Sequence, residues 1–149
     1  MGLVILEEGV AIDLAKIQNM LQWPKPNSLK SLRGFLGLTS YYRQCIKDYG
    51  NVSQPLTVLL KKDNFQWTQA AEDAFDQLKC IMCAAPVLVM PDFQNDFVIE
   101  CDAFGNGIGA VLLQEGRSIV YLSKALAPKN LGLSAYEKEM LDAVMVVQK

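Results

Sequence analysis

From Phe97 to Ser123 the chain alternates apolar runs with glycine-marked turns, a pattern that folds as consecutive strands turned back on one another. The spacing predicts strands over 97–103, 108–114 and 118–123, with Gly105, Gly107 and Gly116 marking the turns between them. The first strand, within FVIECDAFGNGIGAVLLQ, carries a carboxylate where an apolar run ends. Asp102 therefore either serves the turn or is presented to something positive. After the strands, LSAYEKEMLDAVMVVQK opens a helix with a capping box from Ser134 to Glu137. Tyr136, Met140, Ala143, Val144 and Val147 form its predicted buried stripe. The second part of the chain thus reads β-β-β-α.

The first part reads differently. Its opening ten residues predict a β-hairpin or an edge strand ending at Gly9. Asp13 caps a short helix with Ile17, Met20 and Leu21 on one face, and Pro24 and Pro26 stop it. Ser28 caps the next helix, predicted to run to the neighbourhood of Gly50. Pro55 is expected to open a third helix, PLTVLLKK, and Thr68 to cap a fourth that ends near Ala84. In that fourth helix Ala71, Phe75, Leu78 and Met82 face inward. The stretch AAPVLVMPDFQND then reads as a linker with short extended pieces. At 149 residues and 51% apolar the chain can bury a real core.

The helix after Ser28 has two distinct sides. Leu29, Leu32, Phe35, Leu36, Ile46 and Tyr49 fall on one broad apolar face, and Lys30, Arg33, Gly37, Ser40, Tyr41 and Gln44 on the opposite one. Gly34 and Gly37 stand mid-helix, where each costs up to about 1 kcal/mol relative to alanine. Such a cost is tolerated where something approaches the backbone closely, either a packed helix or an outside ligand. The glycines lie away from the main apolar face, which weighs toward the ligand.

Charge divides along the same boundary. Between residues 12 and 62 eight basic residues stand against two acidic ones, and from 64 to 149 six basic residues stand against eleven acidic ones, although the whole chain is only −2. One half suits a polyanion and the other suits cations. No stretch approaches the length of a membrane span, and the N-terminus lacks the pattern of a secretory signal. With no histidine, a zinc site would need all four cysteines, and Cys45 and Cys101 have no close partners. Cys80 and Cys83 are three apart on a predicted helix and are expected on its core face. Reduced, buried thiols in an intracellular protein are the expectation.

Carboxylates that converge can hold two Mg²⁺ ions for phosphodiester chemistry. Asp102 at the centre of an antiparallel sheet, facing a helix that presents Glu139, is the beginning of such a set. Spacing alone leaves open that both are solvated side chains.

Several stretches together resemble the polymerase region of gypsy-type LTR retrotransposons and their retroviral relatives. They include GLVILEEGVAIDLAKIQNMLQWPKPNSLKSLRGFLGLTSYYRQCIKDYG, PLTVLLKKDNFQWTQAAEDAFDQLK, APVLVMPDF, FVIECDAFGNGIGAVLLQ, IVYLSKAL and LSAYEKEMLDAV. The resemblance implies an α+β chain in which residues 1–85 are a helical, reverse-transcriptase thumb-like region. Residues 86–149 would be a partial RNase H-like domain of three antiparallel strands and one helix. Asp102 and Glu139 would be its first two metal-binding, catalytic carboxylates, with Mg²⁺ as the cofactor. Arg33, Gly37 and Tyr41, with Lys30 beside them, would track the minor groove of an RNA–DNA or DNA duplex. The family's Thr-Asp-Ala-Ser reads Cys101-Asp102-Ala103-Phe104 here, which puts a bulky ring near the metal position. The family's further carboxylates fall beyond Lys149, so little nuclease activity is expected from the chain alone. The Asp102 strand is expected at a sheet edge, open to a second copy or a protein partner.

Overall fold

The computed structural model describes residues 2–61, 65–104 and 107–126, together with 132, 134, 137, 140 and 144. Strands β1 (Leu3–Leu6) and β2 (Gly9–Ile12) form an antiparallel hairpin. Gly9 therefore begins the second strand; it does not end the segment as expected. Its φ of +144° is a conformation that side-chain-bearing residues avoid. A Cβ at this position would overlap the carbonyl oxygen of Leu88. The closeness has a purpose, since Val10 and Leu88 exchange two backbone hydrogen bonds of 2.7 and 2.8 Å. The amide of Val89 then donates to the carbonyl of Ser118 at 2.9 Å, so residues 88–89 tie the hairpin to the main sheet.

Three side-chain caps start helices where the sequence predicts them. Asp13 accepts from the Ala15 amide ahead of α1 (Leu14–Leu21), Ser28 from the Ser31 amide ahead of α2 (Leu29–Tyr41), and Thr68 from the Ala71 amide ahead of α4 (Gln69–Cys83). In α1 Met20 is buried as expected but Leu21 is exposed.

Helix α2 ends well before Gly50. Thr39 bonds back to the carbonyls of Phe35 and Leu36, and Ser40 to that of Gly37. Such back-bonding competes with the regular ladder, and the Tyr42 amide tightens onto Thr39. A 3₁₀ turn (Arg43–Cys45) and an extended Ile46 follow, and Asp48 adopts a left-handed conformation with φ of 56°. This reversal folds Cys45, Ile46 and Tyr49 into the core. Helix α3 (Tyr49–Val58) then begins at Tyr49 with Pro55 inside it, contrary to the expectation that Pro55 would open it. Burial of Tyr49, Ser53 and Leu56 outweighs the roughly 3 kcal/mol that an interior proline costs.

The helical core gathers Leu32, Phe35, Leu56, Phe75, Leu78 and Met82. Its aromatic centre is Phe35, with ring centroids 4.6 Å from Phe75 and 6.1 Å from Trp23. Helix α4 buries Ala71, Ala74, Phe75, Leu78 and Met82. That stripe turns Cys80 and Cys83 outward, and both are exposed instead of lying on the core face. At the start of α4 Glu72 receives the Lys25 ammonium and the Trp67 indole N–H. Both contacts, Lys25 foremost, hold its carboxyl below the usual glutamate value. Their support is present above the ordinary glutamate range and is lost as pH falls through the lowered value.

Strands β3 (Val98–Phe104), β4 (Gly107–Gln114) and β5 (Arg117–Ala125) form an antiparallel sheet in that spatial order, close to the predicted limits. Among the described strands β3 is an outer one. Buried Gln114 clamps the preceding loop, accepting from the Asp92 amide and donating to the carbonyls of Asp92 and Asn95. The sheet is joined to the helices: α3 and the 3₁₀ turn pack on β5, and the Gly50 amide donates to Ser123 Oγ at 2.8 Å. Ser134 and Glu137 form the predicted capping box, which lowers the Glu137 pKa. Met140 and Val144 are 57% and 49% exposed, so neither takes the buried position expected of it. The rest of that predicted stripe, Tyr136, Ala143 and Val147, lies outside the described residues. No helix of the described residues is long and apolar enough to cross a membrane.

Candidate nucleic-acid interface

The solvent face of α2 follows from the burial of its other side. With Leu32, Phe35, Leu36 and Thr39 turned in, Lys30, Arg33, Gly37 and Tyr41 lie along the outside at steps of three, four and four residues. All four are exposed, Tyr41 by 62%. Its ring meets that of buried Tyr42 edge-on at 5.0 Å, which steadies an otherwise free aromatic. Among the described residues neither Lys30 nor Arg33 is held by an acidic partner. The two mid-helix glycines differ in their surroundings. A Cβ at Gly37 would meet nothing within 4 Å, so among the described residues no packed neighbour requires the glycine. Gly34 is different, because its Cβ would rest in ordinary contact with Trp23.

The second group lies on the sheet. Asp102 pairs with Gly109 across β3 and β4, and its side chain is exposed. It lines a pocket of about 150 Å³ together with Glu100, Tyr121 and two residues of the loop before α3, Lys47 and Asp48. Asp48 Oδ1 lies where a Cβ on Gly109 would stand only 2.9 Å away, so the glycine makes room for this carboxylate. The sequence reading missed Lys47, Asp48 and Glu100. Glu100 was recoverable, since it stands two residues before Asp102 on the same face of a strand. Lys47 and Asp48 were not, because a continuous helix through this region points them elsewhere.

Glu139, the predicted partner of Asp102, lies outside the described residues, as does the side chain of Phe104. Among the described residues no three side chains of histidine, cysteine, aspartate or glutamate gather as a metal-binding group. Asp102 alone does not fit a pair of Mg²⁺ ions, which needs several converging carboxylates.

Residues 67–149 match the family model described as an RNase H-like domain found in reverse transcriptase. The chain belongs to that family. Its relatives include the retrovirus-related Pol polyproteins of two Drosophila melanogaster transposons. With transposon 297 it is 38% identical over 146 residues, covering 97% of this chain and 14% of the polyprotein. With gypsy it is 32% identical over 162 residues, covering 100% of this chain and 16% of the polyprotein. An uncharacterized mitochondrial protein of Arabidopsis thaliana is 48% identical over 95 residues, covering 64% of this chain and 60% of that protein. The chain thus spans a small part of the length of its polyprotein relatives.

The fold recurs in the foamy viral protease-reverse transcriptase. One structure of it, in complex with double-stranded DNA, superposes with a TM-score of 0.90 at 19% identity over 99% of this chain and 27% of that one. Another, in complex with an RNA/DNA hybrid, gives 0.89 at 18% identity over 99% of this chain and 21% of that one. Residues 67–149 thus carry an RNase H-like domain of the kind found in reverse transcriptase, in a chain whose described residues combine helices with a three-stranded antiparallel sheet and a hairpin.

Proposed function

We propose that the outer face of α2 grips a nucleic-acid duplex, RNA–DNA or DNA, as the thumb of a reverse transcriptase. On this reading residues 1–85 form that thumb region, and residues 86–149 belong to the RNase H-like domain. Lys30 and Arg33 supply charge to phosphates, and Tyr41 lays an aromatic edge along the groove. Gly37 lets the helix backbone approach sugar and base edges. The observation that carries this reading is the open space over Gly37, set between an arginine with no acidic partner among the described residues and a steadied, exposed tyrosine. The double-stranded DNA and the RNA/DNA hybrid bound by the foamy viral protein, which shares the fold, support it.

Fluorescence anisotropy with a labelled hybrid at two salt concentrations tests the grip. Binding weakens as salt rises, and Lys30→Ala and Arg33→Ala each lower the salt slope by about one. Gly37→Leu separates binding from folding. In open helical space leucine gains up to about 1 kcal/mol of stability over glycine. The same side chain blocks the approach of the duplex and lowers affinity roughly tenfold or more, about 1.4 kcal/mol. Wild-type affinity in Gly37→Leu, or binding indifferent to salt, refutes the grip.

Asp102 and Glu139 are, on this reading, the counterparts of the family's metal-binding carboxylates. By themselves these two carboxylates carry −2 against the +4 of a Mg²⁺ pair, so cleavage of hybrid RNA needs further carboxylates beside them. The outer position of β3 among the described strands, with Val98 and Ile99 exposed on it, favours a second reading. There the chain adds a strand from a second copy or another protein, and duplex affinity is incidental. Light scattering decides it for the purified chain: a species heavier than one chain supports strand addition between copies, and a strict monomer counts against it.

A further inference from the structure

The two cysteines that sequence periodicity assigned to the core face instead stand in solvent on the last turns of α4. Cys80 and Cys83 are three residues apart, so they neighbour each other on one exposed strip of the helix. Side chains at that spacing hold their Cβ atoms about 5–6 Å apart. A disulfide needs roughly 3.5–4.5 Å. A direct S–S bond would therefore distort the last turn, whereas an atom placed between the two sulfurs fills the gap.

The number of ligands narrows which atom. Asp76 precedes Cys80 by one turn on the same strip, yet it does not close with the two thiols into a three-ligand group, and no such group exists among the described residues. Zinc takes four ligands in structural sites and is poorly served by two. A soft monovalent d¹⁰ ion is satisfied by two thiolates in a nearly linear arrangement, and thiolate ligands select Cu(I).

We propose that Cys80 and Cys83 form a two-thiolate binding site for a soft monovalent cation of the Cu(I) class. On loading, each thiol gives its proton to solvent and two S–Cu bonds form. The ion keeps its oxidation state, and two protons leave for one positive charge gained. The bridge also pins the end of α4, where the Ala84 amide donates to the Cys80 carbonyl at 3.2 Å.

The test is an anaerobic titration of the reduced chain against Cu(I) buffered by bathocuproine disulfonate. One ion per chain is expected. Binding is lost in Cys80→Ser and in Cys83→Ser and kept in the Cys45→Ser/Cys101→Ser double variant, with circular dichroism confirming that each variant is folded. Retention in the first two variants, loss in the double variant, or one ion shared between two chains overturns the proposal. Oxidised glutathione gives an independent check by mass spectrometry. The folded chain should gain glutathione on Cys80 or Cys83, and quantitative loss of two hydrogens to an internal disulfide would refute the geometric argument.

Discussion

Phe35→Ala should cost the chain about 3–5 kcal/mol of folding stability, read as a lowered urea midpoint at unchanged slope. The side chain is 0% exposed and stands between the rings of Trp23 and Phe75. Removing it deletes the centre of the aromatic cluster and leaves a space that helices α2 and α4 cannot close by small shifts. Against a typical total of about 5–15 kcal/mol this is a large share. Tyr41→Ala, six residues on and exposed, should change stability by no more than about 0.5 kcal/mol. A Phe35→Ala loss below about 1 kcal/mol would mean that the helical core is organised around some other residue.

Gly9→Ala is the second large effect. A non-glycine residue held in a sparsely populated backbone region costs roughly 1–3 kcal/mol. Here the new methyl also overlaps the Leu88 carbonyl oxygen, so the paired hydrogen bonds between Val10 and Leu88 must give way. Those are worth about 1 kcal/mol each, and a total loss of about 2–4 kcal/mol is expected. Hydrogen exchange locates it. The amides of Val10, Leu88 and Val89 should lose protection while those of α4 keep theirs. Unchanged protection at Val10 and Leu88 would show that the hairpin is not tied down at that point.

How far the sequence could be read depended on whether local chemistry or distant packing decided each element. Asp13, Ser28 and Thr68 cap helices through their own side chains, so residue type and position sufficed. The strands were legible for the same reason, since alternation and glycine turns are local signals. The break between Tyr42 and Asp48 was not. It depends on Thr39 and Ser40 turning their hydroxyls back onto the helix and on the burial of Ile46 and Tyr49 by residues far along the chain. That one error displaced Pro55 and concealed Lys47 and Asp48 beside Asp102. The outer stripe of α2 was legible because amphipathic periodicity fixes which side faces water. The emptiness over Gly37 needed coordinates, since no helical wheel shows what stands opposite a glycine.

The bond from the Gly50 amide to Ser123, with α3 seated on β5, joins the helices and the sheet by a hydrogen bond and by packing together. A substitution that loosens this junction, such as Ser123→Ala, should therefore be felt on both sides of it, in the helices as well as in the strands.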